Sequence, residues 1–291
     1  MPTNRPLWLI AAPVIFLCLW SGGYSVAKIG LLYSEPMTLL ALRYACVVAI
    51  MAVLFAIIRP PLPKKRADWG HLAVVGVMIQ TVYFGMSYIA LLYGVAAGTL
   101  ALLMSLQPIL VAVIAPGWTG EGIGWKRWGG LALGLAGTAI VIIARSEIES
   151  PPALGIVFAV LGLMGMTFAT LWEKRFGLTH HPITSNLIGY TAGLLGILPF
   201  MFALETQQIS WTPGFFGALA YLVIGNSLIS VGLLLAMIRA GEVSKVSALF
   251  FLVPPVAALI AWALLGEVMP PLAWVGMAAA ATGVLIATRA R

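Results

Sequence analysis

Displaced by 146 residues, the chain matches itself without a gap. Lys28 falls on Lys174, Pro36 on Pro182, Thr38 on Thr184, Tyr44 on Tyr190 and Pro108 on Pro254. Further along, Gly120-Glu121 falls on Gly266-Glu267, Trp128 on Trp274, Gly130 on Gly276, Gly137 on Gly283 and Arg145 on Arg291. Apolar identities are cheap in a composition that is 62% hydrophobic, but matches of Lys, Pro, Gly-Glu and Trp at one constant offset are not. Such self-similarity marks an architecture made of two copies of one unit, here residues 1–146 and 147–291.

Each unit holds five apolar runs. Across the chain they cover about 7–28, 37–58, 71–92, 96–117, 126–145, 153–173, 183–204, 214–237, 243–265 and 271–289. Turn-forming segments separate them, among them "SEP" at 34, "RPPLPKKRAD" at 59, "THHP" at 179 and "GEVMPP" at 266. Only 9% of the residues are charged, against roughly 25% in a soluble domain, and the mean hydropathy is +1.04. A water-surrounded core has no room for that much apolar surface. A membrane span needs ~20 apolar residues, so 291 residues accommodate ten spans with short connections. Five is odd, so the second unit enters the bilayer from the opposite side. The expected fold is an all-α membrane protein with ten transmembrane helices, arranged as two inverted five-helix repeats around a central cavity. Secondary transporters use this plan, with the substrate site near the midplane between the halves.

The net charge of +7 sorts by membrane side. With the N-terminus inside, thirteen of the sixteen Lys and Arg fall on inner loops and ends, including Arg59, Lys64, Lys65 and Arg66. Lys28 and Arg145 fall outside, and Arg43 lies within a span. The positive-inside rule thus places both termini in the cytoplasm and makes the bilayer, not nucleic acid, the partner of this basic chain. Cys18 and Cys46 lie in apolar runs and read as small core hydrophobes. The first run is long and is followed at once by another, as in an uncleaved first helix.

"LWSGGYSVAK" from Leu19, then Pro36, then Arg43-Tyr44, resembles the opening of the EamA family of the drug/metabolite transporter superfamily. "AGTLALLMSLQPILVAVIAPGWTGE" resembles that family's fourth span, and "EVSKVSALFFLVPPVAALIAWALLGE" resembles the same element in its second half. The resemblance covers the whole chain. It implies ten helices, a central cavity, and export of small metabolites, with the aromatic amino acid exporters as the nearest type. One departure is "APGWTGE", where the family has an apolar run into Leu-Gly-Glu; Pro116-Gly117 is expected to disturb that helix end.

Polar residues inside spans need partners or a wet cavity. In the first span Ser21, Tyr24, Ser25 and Lys28 share a face at helical spacing, and Thr167, Thr170 and Lys174 form the equivalent face in the sixth. Gln80, Tyr83, Phe84 and Ser87 make a stripe in the third span. Asn226 stands at the position of Gln80 in the eighth, and Ser230 continues its stripe. Small hydroxyls are common helix-packing glue, but an amide has four hydrogen-bonding groups to satisfy. The candidate substrate-binding residues are therefore Trp20, Ser21, Tyr24, Gln80, Tyr83, Phe84, Ser87, Thr167, Thr170, Asn226 and Ser230. Tyr88, Tyr93, Trp8, Trp125, Trp128, Trp211 and Trp274 read as interfacial belt residues. Gly22, Gly23, Pro108, Pro254 and Pro255 are the candidate hinges, since interrupted helices at matching places in two repeats point to a site or a joint. Arg43 has the length to snorkel outward or to cap helix carbonyls; a substrate carboxylate is its further possible partner.

The nine acids and three histidines all fall in loops or at span ends. Proton-driven carriers usually keep a titratable group in the membrane core, so obligatory proton coupling is not expected. No phosphate-binding Gly-x-x-x-x-Gly-Lys run occurs, no cluster has metal-ligand spacing, and no nucleophile–base pair stands in a span. No cofactor, metal or enzymatic activity is expected. The chain reads as an inner-membrane exporter of aromatic or other neutral amino acids and similar metabolites, acting as a monomer or weak homo-oligomer. A drug or sugar exporter, and a non-transporting membrane assembly or lipid-handling protein, are the alternatives.

Overall fold

The computed structural model describes residues 7–119, 125–146, 153–176, 180–239, 250 and 252–289. The first five helices are α1 (Leu7–Gly30), α2 (Pro36–Ile58), α3 (Arg66–Leu92), α4 in two pieces (Ala97–Met104 and Gln107–Thr119) and α5 (Trp125–Ser146). The second five are α6 (Ala153–Phe176), α7 (Pro182–Leu204), α8 (Pro213–Ala220, Tyr221–Ser230 and Val231–Arg239 in succession), α9 (Val253–Leu265) and α10 (Pro271–Arg289). Six helices among the described residues are long and apolar enough to cross a membrane, and four shorter apolar helices accompany them. The protein is a multi-pass membrane protein. Its outward faces carry large apolar side chains such as Ile57, Leu204 and Val275.

The repeat is visible in the packing. Tyr44 and Tyr190, equivalent under the 146-residue shift, meet each other where α2 crosses α7, with ring centroids 5.7 Å apart. Along α5, Gly130, Gly134 and Gly137 lie at helical spacing, and the shift carries them onto Gly276, Ala280 and Gly283 of α10. The two stripes touch backbone to backbone: a Cβ at Gly137 would lie 2.5 Å from the Gly276 carbonyl and 2.9 Å from Ala280 Cα. Small residues let helices approach this closely where lipid offers no hydrophobic incentive to pair.

At the end opposite Arg59–Arg66, the two halves cap each other. The Glu205 carboxylate accepts from the Met37 and Thr38 amides, both at 2.7 Å, and from the Thr38 hydroxyl at 2.8 Å. Glu35 returns the contact to the Thr206 and Gln207 amides at 2.8 and 3.0 Å. A carboxylate at a helix N-terminus satisfies amides that have no partner in the helix and meets the positive end of its dipole. Glu267, just past the left-handed Gly266 that ends α9, does the same for Ala97 of α4 at 3.1 Å. It also pairs with Lys28 of α1 at 2.8 Å.

The breaks fall where proline dictates. α4 is interrupted at Ser105-Leu106, and Pro108 sits in the first turn of the second piece, where a missing N–H is tolerated. Pro254 and Pro255 occupy the same place in the first turn of α9; residues 240–249 and 251, with Ser244 and Ser247, lie outside the described part. α4 runs on through Pro116 and Gly117 to Thr119, so the disturbed end expected there is not found; neighbouring helices let membrane helices carry such residues. Two further irregularities carry no proline. Val77–Tyr83 of α3 and Tyr221–Ser230 of α8 are π-helical, and the shift superposes them. Such wide turns cluster at functional sites.

Candidate functional site

The π-helical turns of α3 and α8 present Gln80 and Asn226, and each faces a cavity. Around Asn226 the cavity is small, about 30 Å³, and is lined by Trp20, Gly23, Tyr24, Arg43, Tyr83, Phe84, Ser87, Tyr88, Leu100 and Asn226. That is room for about one water. Around Gln80 it is larger, about 210 Å³, and lies between α3, α6 and α7 toward the end bearing Arg59–Arg66. The two amides thus serve separate cavities rather than facing one another.

Arg43 organises the smaller cavity. The sequence left it free to snorkel, but α2 turns it toward α8, where it is 1% exposed. Its Nη2 donates to Asn226 Oδ1 at 2.8 Å, its Nε to the Ser227 hydroxyl at 3.0 Å and its Nη1 to the Tyr88 hydroxyl at 3.0 Å. The guanidinium also lies over the Phe84 ring, 4.6 Å from its centroid. These groups are all neutral, and among the described residues no carboxylate pairs with Arg43. Three donated bonds leave two of the five guanidinium N–H groups over. A buried positive charge held only by neutral acceptors is poised for an anion, because a charge out of water is costly until it is paired. Tyr88 is accordingly a buried cavity residue, not the interfacial one its place near a span end suggested.

The remaining wall is aromatic and hydroxylic. The Tyr24 and Tyr83 hydroxyls are 3.3 Å apart, and the Tyr83 and Phe84 rings lie tilted with centroids 4.5 Å apart. Trp20 sits against Phe16 and Phe250. Ser87 is buried, and its hydroxyl has no partner.

Gly22 and Gly23 do not break α1, which is continuous from Leu7 to Gly30. They are places of close approach to α8: a Cβ at Gly23 would lie 2.5 Å from Asn226 Nδ2, and one at Gly22 would strike the Tyr221 hydroxyl. Asn226 Nδ2 and the Tyr221 hydroxyl both donate to the Leu19 carbonyl of α1, at 3.3 and 3.1 Å.

Of the other sequence-derived candidates, Ser21 donates to the Val253 carbonyl at 3.4 Å, tying α1 to the start of α9. Thr167 and Thr170 donate to carbonyls of their own helix, and Thr170 also accepts from Gln107 Nε2 at 2.8 Å. Neither threonine lines either cavity, and Ser230 is buried without lining them. Cys18 is exposed and Cys46 half-buried, so neither is the core residue expected from its apolar run. Trp125, Trp128 and Trp211 are exposed on the outer surface; the Trp8 and Lys174 side chains lie outside the described part. Sequence reasoning undervalued Arg43 and missed Ser227. The available signal was that Arg43 is the lone charge well inside a span, and that the repeat pairs it with Gly189.

Relatives match along nearly the whole chain. A Bacillus subtilis protein described as the uncharacterized transporter YvbV is 26% identical over 87% of this chain and 82% of its own length. A Streptantibioticus cattleyicolor protein described as a probable terminal-alkyne amino-acid exporter is 27% identical over 99% of this chain and 95% of its own. An Escherichia coli protein described as a probable amino-acid metabolite efflux pump is 23% identical over 94% of this chain and 92% of its own. A solved crystal structure superposes with a TM-score of 0.63 over 98% of each chain at 15% identity, which shows a shared fold. The profile of the EamA-like transporter family matches twice, over residues 6–143 and 153–289. With ten helices in two repeats and both halves matched, the chain belongs to the EamA-like transporter family.

Proposed function

We propose that the protein exports amino acids with aromatic or other uncharged side chains, and similar small metabolites, from the cytoplasm across a bacterial inner membrane. The observation that carries this reading is Arg43, a buried guanidinium without a carboxylate partner among the described residues, on the wall of an aromatic-lined cavity. A substrate carboxylate supplies the missing negative charge in a bidentate contact. Trp20, Tyr24, Tyr83 and Phe84 supply apolar surface for its side chain. Relatives described as amino-acid exporters support the substrate class. The sorting of thirteen of sixteen basic residues to one side supports cytoplasmic termini.

The cavity at Arg43 holds about one water's volume. Substrate entry therefore requires α1 and α8 to part, as alternating access between two repeats demands. Among the described residues no carboxylate or histidine lines it, which supports movement down the solute gradient without obligatory proton exchange. A fully neutral cavity would fit sugars or uncharged drugs equally well; the guanidinium is what favours a carboxylate. Efflux of labelled amino acids from proteoliposomes tests the proposal. Saturable efflux of phenylalanine or leucine is expected, with sugars retained. Saturable sugar efflux with amino acids retained contradicts it.

A further inference from the structure

Residues 59–66, RPPLPKKR, join α2 to α3 and bring four cations into one short loop. The shift of 146 residues carries them onto ETQQISWT at 205–212, which has no Lys or Arg and puts Glu205 where Arg59 stands. At its own end of the molecule that carboxylate is used within the protein, on the α2 amides. The cations of the first loop have no such use. Arg59, Lys64, Lys65 and Arg66 are all exposed, and among the described residues none of them pairs with a carboxylate. Asp68, the acid next to them in sequence, stands 3.6 Å from His180 Nε2 instead.

Charge sorting by membrane side accounts for cations on this loop. It does not account for a loop built to hold them still, because a topology signal needs no fixed geometry. Three prolines restrict the backbone, and Pro60 and Pro63 are buried. The Pro61 carbonyl accepts from Thr184 Oγ1 of α7 at 3.1 Å, and the Pro63 carbonyl from Trp69 Nε1 of α3 at 3.0 Å. The loop also borders the lipid. Ile57 and Ile58 just before it are exposed, and so are Leu62 within it and Trp69 just after it. Val53 and Ile57, one turn apart on the same side of α2, are both open to the outside and offer a track for an acyl chain. A soluble anion has no use for that apolar border, whereas a basic cluster beside a membrane helix fits an anionic headgroup. We infer that the α2–α3 loop is a seat for an anionic phospholipid of the adjoining leaflet. Arg59, Lys64, Lys65 and Arg66 hold its phosphodiester, and an acyl chain lies along Val53 and Ile57. The seat does not depend on which solute is carried, so it stands or falls independently of the carboxylate reading above.

The test is native mass spectrometry of the full chain in detergent, titrated with dioleoylphosphatidylglycerol, with dioleoylphosphatidylcholine and, separately, with glycerol phosphate. Saturable retention of phosphatidylglycerol is expected, at least about tenfold tighter than phosphatidylcholine, with no retention of glycerol phosphate at the same concentrations. Replacing Lys64→Gln and Lys65→Gln together is expected to weaken phosphatidylglycerol binding about fivefold for each cation removed. Lys126→Gln, an exposed cation at the start of α5, is expected to leave it unchanged. Trp69→Phe with Thr184→Val keeps every charge but releases both anchors of the loop. It is expected to weaken binding severalfold, because the loop must then be ordered on binding. Equal binding of the two phospholipids overturns the inference, and so does glycerol phosphate bound as tightly as the lipid, which would make the ligand a soluble phosphate. Equal losses in Lys126→Gln and in each loop variant, or unchanged affinity with both anchors released, would show diffuse attraction in place of a built seat and overturn it too. The lipid comparison and the lysine variants decide the matter even if the anchor variant does not fold.

Discussion

Replacing Gly23 by alanine tests how α1 and α8 hold Arg43. The added Cβ would lie 2.5 Å from Asn226 Nδ2 and 3.1 Å from its Cγ. Favourable carbon contacts begin near ~3.5 Å, so the amide must retreat by about 1 Å. Its Oδ1 is bonded to Arg43 Nη2 at 2.8 Å, and a shift of that size takes the pair beyond hydrogen-bonding range. A bond to a charged group contributes about 1.5–3 kcal/mol. Alanine returns up to about 1 kcal/mol of helix propensity, leaving a net loss of about 0.5–2 kcal/mol. The informative comparison is with Asn226→Ala, where the clashing amide is gone. There Gly23→Ala is expected to change sign and stabilise by up to about 1 kcal/mol. The coupling across the cycle is then about 1.5–3 kcal/mol. Gly22→Ala presses on the hydroxyl end of the Tyr221 ring and endangers its one shared, neutral donor to the Cys18 and Leu19 carbonyls, so about 0.5–1.5 kcal/mol is at stake. The assay is the unfolding midpoint of the four cycle members in detergent, read beside phenylalanine efflux. Equal effects of Gly22→Ala and Gly23→Ala that persist with Asn226→Ala would favour a hinge role for the pair and refute the packing account.

Other perturbations follow from the same contacts. Gly137→Ala drives a methyl into the α10 backbone at Gly276 and Ala280; a loss of about 1–3 kcal/mol or more in unfolding measurements is expected, while Gly129→Ala, with nothing within 4 Å, is expected to stabilise by up to about 1 kcal/mol. Lys28→Met takes the cation away from the Glu267 carboxylate, whose side chain is 3% exposed against 26% for Lys28. It is expected to cost about 2–4 kcal/mol, and Glu267→Gln less, because the amide still accepts from Ala97 and the lysine reaches solvent. An imposed pH gradient, with amino acid equal on both sides, is expected to drive no uphill accumulation in proteoliposomes. Accumulation would point to a proton-carrying group outside the Arg43 cavity, with His71 and Glu173 on the larger cavity the first to test.

The ten spans and their two-fold arrangement were legible because they rest on strong signals: long apolar runs, matched prolines, and charge sorted by side. Pro108 announced a real interruption of α4 and Pro254 the first turn of α9, though proline alone does not break a helix here, since α1, α4 and α7 run through Pro13, Pro116 and Pro199. The π-helical turns were not legible. No residue type encodes them, and the matched amides Gln80 and Asn226 were the sole hint. The glycine pair was ambiguous in isolation. A glycine reads equally as a flexible joint or as room for a neighbour, and only Tyr221 and Asn226 lying against Gly22 and Gly23 separate the two. Arg43 was hardest, since a long side chain in a span has an inward and an outward course of similar reach. What decides its course is a triad of acceptors contributed by α3 and α8, distant in sequence. Thr167 and Thr170 shared a face as expected, yet their hydroxyls are used by their own helix.

The central claim is that Arg43 receives a substrate carboxylate. The most direct measurement is efflux of phenylalanine against phenylalaninamide, which lacks the carboxylate, from proteoliposomes carrying the parent protein or Arg43→Gln, with folded protein matched. In the parent, phenylalanine is expected to leave at least about tenfold faster than the amide, the worth of one charged contact. Arg43→Gln is expected to bring phenylalanine down to the rate of the amide and to leave the amide unchanged. Equal efflux of the two by the parent, or an equal loss of both in Arg43→Gln, would contradict the account.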